Sequence, residues 1–172
     1  MTIYSKNEPF IIGVDFDGTI TTEPLGGSNF PLPQEGFVKF YNLVHQRNIE
    51  HPESQIYFCI HTARNLDKDE NWQYIKDYLC RYQLNEVFLP KRDGKSIKNN
   101  LNKKEEFPIQ FSWNSKIPCS CYVDDLNIGT PKLDEHILDW YTIGLLIMKE
   151  VEKVEEKWKT KNNTQDQKSM TS

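Results

Sequence analysis

The sequence has no apolar run long enough to cross a bilayer and no recognisable export signal. Its longest apolar stretch, residues 140–148, is interrupted by Thr142 and Gly144, whereas a transmembrane helix needs about 20 apolar residues. Residues 1–9 are mostly polar and lack the basic and apolar regions of a secretory signal. We therefore expect a soluble, cytoplasmic protein with no membrane partner.

Cysteine is scarce, and the chain carries no strong excess of either charge. None of the four cysteines has the spacing of a zinc site, so we expect reduced thiols that act as small apolar side chains. The formal net charge of −4 makes nucleic acid an unexpected general partner. A chain of 172 residues without internal repeats suits one globular domain. The cysteines are Cys59, Cys80, Cys119 and Cys121.

Apolar strand-like runs alternate with amphipathic helical segments along the chain. This alternation predicts parallel pairing of the strands. We predict an α/β, Rossmann-like three-layer fold with a mostly parallel central sheet and no separate cap domain. This domain covers residues 1–157 and is followed by a disordered tail at 158–172. The predicted strands are 10–14, 55–61, 86–89 and 119–123, and the predicted helices are 34–47, 67–82 and 133–157.

The first predicted strand ends in two carboxylates. Residues 10–20 read FIIGVDFDGTI, so Asp15 and Asp17 follow a buried strand directly and Gly18 permits a sharp turn. Open α/β sheets bind ligands at the carboxyl ends of their strands. A plain strand followed by an Asp-Gly turn is the alternative. Two carboxylates at this place reduce stability but are useful for chemistry, which favours a functional role. The pattern therefore favours a phosphotransfer site.

Further polar residues fall at the same edge of the predicted sheet. Thr62 follows the second strand, where its hydroxyl could donate to a phosphate oxygen, and Lys116 precedes the fourth strand. The fourth strand ends in Asp124 and Asp125. Adjacent carboxylates repel each other, and acids from two strands at one edge would be strongly destabilising without a cation. The pattern predicts a Mg²⁺ site.

These motifs, in this order, resemble those of the haloacid dehalogenase (HAD) superfamily of phosphohydrolases. The segment that ends in KIPCSCYVDDLNIG is similar to small capless bacterial members whose substrate is unassigned. The resemblance covers about residues 10–131. Leu126 departs from it, because the small relatives often have an arginine at that position. The matching residues are Asp15-Phe-Asp-Gly-Thr-Ile, Thr62, Lys116 and Asp124-Asp125.

The resemblance implies a Mg²⁺-dependent phosphatase that forms an aspartyl-phosphate intermediate. Asp15 would be the nucleophile, and Asp17 would act as acid and then as base. Thr62 and Lys116 would be catalytic and would also contact the transferred phosphoryl group. Gly18 and Ala63 would complete the substrate-binding residues through the backbone. The implied metal ligands are Asp15, Asp17 through its main-chain carbonyl, Asp124, and Asp125 directly or through water.

The sequence leaves the substrate and two rival functions open. A phosphorylated small molecule is the favoured substrate, with a nucleotide or a phosphorylated polynucleotide end as alternatives. An open site suits a large ester or a homo-oligomer whose neighbouring subunit covers it. The basic stretch 91–104 is either a guide for an anionic substrate or a solvated insertion. The rivals are a non-catalytic phosphate-binding or partner-binding domain and a receiver-type phosphoacceptor domain; the complete acid set and the motif order favour the hydrolase.

Overall fold

A small parallel sheet forms the centre of the fold in the computed structural model, which describes residues 9–24, 30–65, 68–88, 111–112 and 119–169. The strands lie in the order β3-β2-β1-β4, and every pairing is parallel. This arrangement confirms the predicted α/β class and the parallel sheet. The strands are β1 (Phe10–Val14), β2 (Ile56–His61), β3 (Phe111–Ser112) and β4 (Cys121–Val123).

The described ranges contain the helices α1 (Glu35–Glu50), α2 (Asp69–Arg81) and α3 (Trp140–Ser169). Helix α1 buries Phe37, Phe40, Tyr41 and Val44, the stripe that its sequence predicts. The Phe37 ring packs edge-on against Phe58 of β2, with 5.5 Å between ring centroids. None of the helices in these ranges is long and apolar enough to span a membrane.

Helices α1 and α3 lie side by side on one face of the sheet. The Trp140 ring contacts Phe37 and Phe40 of α1 at centroid distances of 5.0 Å and 6.0 Å. Gly144 makes this approach close, because a Cβ there would lie 2.9 Å from the Phe40 ring. Since the same α1 residues contact Phe58, the core lies between this helix pair and the sheet.

The third strand differs from its prediction. The predicted strand 86–89 contributes one isolated bridge, Phe58 with Phe88, and the partner of β2 is instead β3 at 111–112. Phe58 donates its N–H to the Val87 carbonyl at 2.9 Å, but the pairing does not extend along the described residues. Pro90 follows at once in the sequence and lacks an N–H for a ladder.

Helix α3 also differs at both ends from the predicted range 133–157. It begins at Trp140 because the carboxylate of Asp139 accepts the N–H and the hydroxyl of Thr142, as an N-cap does. The residues before it form a bridge between Lys132 and Leu138. The helix continues to Ser169 and so includes most of the segment predicted as a tail, residues 158–172. Residues 170–172 lie outside the described residues.

Candidate active site

Three neighbouring strands end at the same edge of the sheet and bring the predicted site residues there. Val14 of β1 pairs with Ile60 of β2 and with Val123 of β4. The residues that follow these strands, Asp15, Thr62 and Asp124, therefore lie at one edge. The Asp15 N–H continues the ladder by donating to the Val123 carbonyl at 2.9 Å. Strand pairing places this edge where the sequence analysis expects it.

Asp15, Asp124 and Asp125 form an acidic cluster at this edge. Each offers a carboxylate oxygen, and these oxygens all lie within 4.8 Å of one another. Burial is the main cause that raises the pKa of Asp15 to about 8; a hydrogen bond from the Phe16 N–H opposes it, and repulsion from Asp124, Asp17 and Asp125 adds to it. Burial and the charge of Asp124 also raise the pKa of Asp125. Negative charge is therefore concentrated in this cluster.

The acidic cluster fits a hard divalent cation. Its donors are carboxylate oxygens from two loops, which is the ligand type that Mg²⁺ prefers. A bound cation would favour the ionised form of Asp15, whose raised pKa reflects burial among other acids. The carboxylate of Asp17 is not part of this cluster, so only its main-chain carbonyl could join the ligand set as expected.

The turn after β1 is tied to the loop after β4. Gly18 adopts φ 77°, and a Cβ at this position would lie 2.7 Å from an Asp125 carboxylate oxygen. The Thr19 hydroxyl oxygen accepts the Asp125 N–H at 2.9 Å. Gly18 donates its own N–H to the Glu23 carbonyl at 2.8 Å and to Thr21 Oγ1 at 3.1 Å. The Gly18 amide is thus hydrogen-bonded within the turn, and its contact with a phosphate stays a prediction.

A buried glutamine, Gln34, joins this turn to the segment that leads into α3. Its Nε2 donates to the Gly18 carbonyl at 2.7 Å and to the Thr21 carbonyl at 3.2 Å. Its Oε1 accepts the Leu138 N–H at 3.0 Å. The indole N–H of Trp140 adds a contact to the Thr19 carbonyl at 3.3 Å. These bonds fix the backbone of the turn that carries Asp17.

The carboxylate of Asp17 is held by an arginine to which the sequence-based prediction gives no role. Arg64 donates from Nε and from an NH₂ group to the two Asp17 carboxylate oxygens, at 2.8 Å and 2.6 Å. The two side chains are only 14% and 9% exposed. The guanidinium lies 4.4 Å from the centroid of the Tyr74 ring and 5.8 Å from that of Phe16. This is a bidentate, largely buried ion pair at the edge of the acidic cluster.

Thr62 and Ala63 lie between β2 and Arg64. Thr62 is buried, and its hydroxyl oxygen accepts the Arg64 N–H at 3.1 Å. That bond uses the oxygen as an acceptor, so the hydroxyl hydrogen is not spent in it. Ala63 is exposed. The turn places both residues at the same sheet edge as the acids.

Two sequence-based expectations fall outside the described residues. Lys116, the expected catalytic and substrate-binding lysine, is one of them. The basic stretch 91–104 is the other. Both stay predictions.

Arg64, Gln34 and Thr19 are the site residues that sequence reasoning missed. Arg64 was detectable, because it follows Thr62 by two residues at an edge rich in carboxylates and arginine forms bidentate carboxylate pairs. Gln34 had no comparable signal, since its partners are backbone groups distant in the chain.

Comparison of the chain with protein-family models, with curated proteins and with solved structures found no match. Membership of the HAD superfamily therefore stays a prediction from the sequence motifs.

Proposed function

We propose that this protein is a Mg²⁺-dependent phosphatase that hydrolyses a phosphate monoester through an aspartyl-phosphate on Asp15. The proposal includes membership of the HAD superfamily and the Rossmann-like three-layer form of the α/β fold. The favoured substrate is a phosphorylated small molecule. The alternative substrates are a nucleotide and a phosphorylated polynucleotide end, and a homo-oligomer whose neighbouring subunit covers the site would suit its open form. The proposed compartment is the cytoplasm.

One observation carries the proposal: β1 and β4 are neighbours, and their ends bring Asp15 against Asp124 and Asp125. The chain moves from β1 to β2 and β3 on one side, while β4 lies on the other side of β1. The β1/β4 boundary is thus the point where the strand order reverses, and open α/β sheets bind ligands at such points. The acids that the HAD resemblance makes functional meet at this boundary.

The residues at this edge would carry out the hydrolysis in two steps. An Asp15 oxygen forms a bond to phosphorus while the bond from phosphorus to the ester oxygen breaks. The departing ester oxygen takes a proton from Asp17. Water then attacks the phosphorus and gives a proton to Asp17, and the bond to Asp15 breaks to release phosphate. The Thr62 hydroxyl donates to the phosphoryl oxygens. Lys116 would add positive charge and orient Asp15, and the exposed backbone at Ala63 would contact the phosphate.

Asp15, Asp124, Asp125 and the main-chain carbonyl of Asp17 would hold Mg²⁺, whose charge offsets the repulsion between Asp15 and the phosphate. The carboxylates of Asp15 and Asp124 come from adjacent strands, so this ligand set forms only in the folded sheet. The raised pKa of Asp15 supports the need for such a charge.

Two rival functions make different predictions for the same site. A non-catalytic domain would bind phosphate without turnover. A receiver-type domain would retain a phosphoryl group on one aspartate and release it slowly. The Asp15-x-Asp17 pair with a following Gly-Thr directly after β1 favours the hydrolase, since a receiver carries its phosphoacceptor singly on a later strand.

The test compares wild type with Asp15→Asn on an aryl phosphate, in Mg²⁺ and in EDTA. We expect wild-type turnover to need Mg²⁺ and the variant to lose at least about 1,000-fold in kcat. Asp77→Asn is the matched control, because Asp77 is an exposed acid on α2 that accepts a hydrogen bond from Gln73. Turnover by Asp15→Asn at the wild-type rate would reject the covalent mechanism.

A further inference from the structure

We propose that Arg64 is a positioning residue for Asp17, and that it sets the direction of the acid-base carboxylate toward the leaving group. The inference rests on the proposed phosphatase activity and extends it to a residue outside the motifs. Its basis is the bidentate pair, in which two Arg64 nitrogens each contact a different oxygen of Asp17.

The pair fixes Asp17 in both position and rotation. A single contact would let a carboxylate turn about its bond, whereas two parallel contacts from a planar guanidinium define its plane. Arg64 is itself held at two points. Its guanidinium lies over the Tyr74 ring, and its backbone N–H donates to the Thr62 hydroxyl oxygen. Helix α2, which carries Tyr74, is thereby linked to Asp17 through Arg64.

The bidentate pair leaves acceptor positions open on both oxygens of Asp17. An ionised carboxylate has about four acceptor positions, and a bidentate arginine uses two of them. One position on each oxygen remains for the ester oxygen or the attacking water. A residue that orients an acid-base group in this way affects the barrier of proton transfer more than the binding of substrate.

The experiment compares Arg64→Lys with wild type on two esters of similar size, p-nitrophenyl phosphate and an alkyl phosphate. The lysine keeps the charge but loses the fork geometry. We expect kcat/KM for the alkyl ester to fall by about 10–100-fold, because its poor leaving group needs the proton. The nitrophenyl ester should lose less than about threefold, since its oxygen leaves without protonation.

A double-mutant cycle with Asp17→Asn shows whether Arg64 acts through Asp17. In the Asp17→Asn background, Arg64→Lys should have no further effect on the alkyl ester. This pair of variants also covers the risk that Arg64→Ala fails to fold after leaving a buried carboxylate unpaired. Arg81→Lys is the control, because Arg81 lies 5.4 Å from the Phe30 ring in the same aromatic group.

Equal losses for both esters, or independent effects in the cycle, would overturn the positioning role while leaving the phosphatase proposal intact. A wild-type protein that hydrolyses neither ester, with Mg²⁺ present, would instead reject the proposed function and this inference with it.

Discussion

Among single residues, Asp15 stands out as a carboxyl group that is buried beside other acids. Its carboxyl follows β1 directly, lies beside Asp124 and Asp125, and has its pKa raised to about 8 from an ordinary value of 3.8. The nearby, largely buried guanidinium of Arg64 forms its ion pair with Asp17 instead. Asp15 is therefore the residue whose ionisation should be visible in the stability of the metal-free protein.

We predict that the metal-free protein loses stability as the pH rises from about 4 to about 8. In this window Asp15 keeps its proton in the folded state and has lost it in the unfolded state, so the folded state binds more protons. The loss attributable to Asp15 is at most about 1.4 kcal/mol per pH unit. Asp15→Asn should remove this part, so it should exceed wild type in stability most at pH 8.

Urea unfolding in EDTA at pH 5, 6.5 and 8 measures this difference. Asp77→Asn serves as the control, since that exposed acid should change stability little at any of these pH values. A constant gap between Asp15→Asn and wild type across the range would contradict the burial of a protonated Asp15.

Gly18 gives a second prediction at the scale of one residue. Gly18→Ala should destabilise the protein by about 1–2 kcal/mol for its positive φ alone, and by more because the new Cβ would lie 2.7 Å from Asp125. Gly129→Ala is the matched control: its φ is 89°, but nothing lies within 4 Å of a Cβ there. Thermal unfolding of both variants separates the two costs. Equal losses would mean that Asp125 moves aside freely.

Among elements, the turn after β1 and the segment before α3 are joined by one side chain. Gln34→Leu should destabilise the protein by about 2–4 kcal/mol, because it leaves the buried Gly18 carbonyl and Leu138 N–H without their partner. Gln46→Leu is the control, since Gln46 is exposed and bonds only Glu50 one turn on, and it should change stability by less than about 0.5 kcal/mol. Urea unfolding measures both. Similar values for the two variants would show that water replaces the Gln34 amide.

The elements also show which parts of the fold the sequence can predict. The stripe of α1 and the apolar runs of β1 and β2 were predicted because burial leaves a periodic pattern in consecutive residues. β3 has two residues, too few for any period, and was missed. The start of α3 depends on Asp139 as a cap, which the apolar pattern before it obscured.

The same contrast holds for the site. The placement of five site residues was predictable because each lies within the three residues after a strand, and parallel register carries strand ends to one edge; they are Asp15, Asp17, Thr62, Asp124 and Asp125. The Arg64 contact to Asp17 depends on side-chain conformation and on the Tyr74 ring of a different element. Such contacts between distant positions leave no local pattern in a single sequence.

For the molecule as a whole, the acidic cluster predicts stabilisation by Mg²⁺. A cation that binds only the folded state at 100 times its dissociation constant adds about 2.7 kcal/mol. For a chain of 172 residues this corresponds to a rise in Tm of about 5–10 °C. Asp124→Ala should abolish the rise because it removes one of the clustered carboxylates, whereas Asp77→Ala should keep it. Thermal scans in EDTA and in millimolar Mg²⁺ measure the effect; an undiminished rise in Asp124→Ala would place the cation elsewhere.

The pairing of β1 with β4 has a consequence for synthesis of the chain on the ribosome. β1 is made before its neighbour β4, which begins at Cys121, about a hundred residues later in the chain. At about 5–20 residues per second, Asp15 waits roughly 5–20 s for Asp124. A nascent or prematurely terminated chain that ends before β4 therefore has one of the three clustered carboxylates, that of Asp15, and no complete site. Such a chain would therefore lack the proposed activity on phosphate esters.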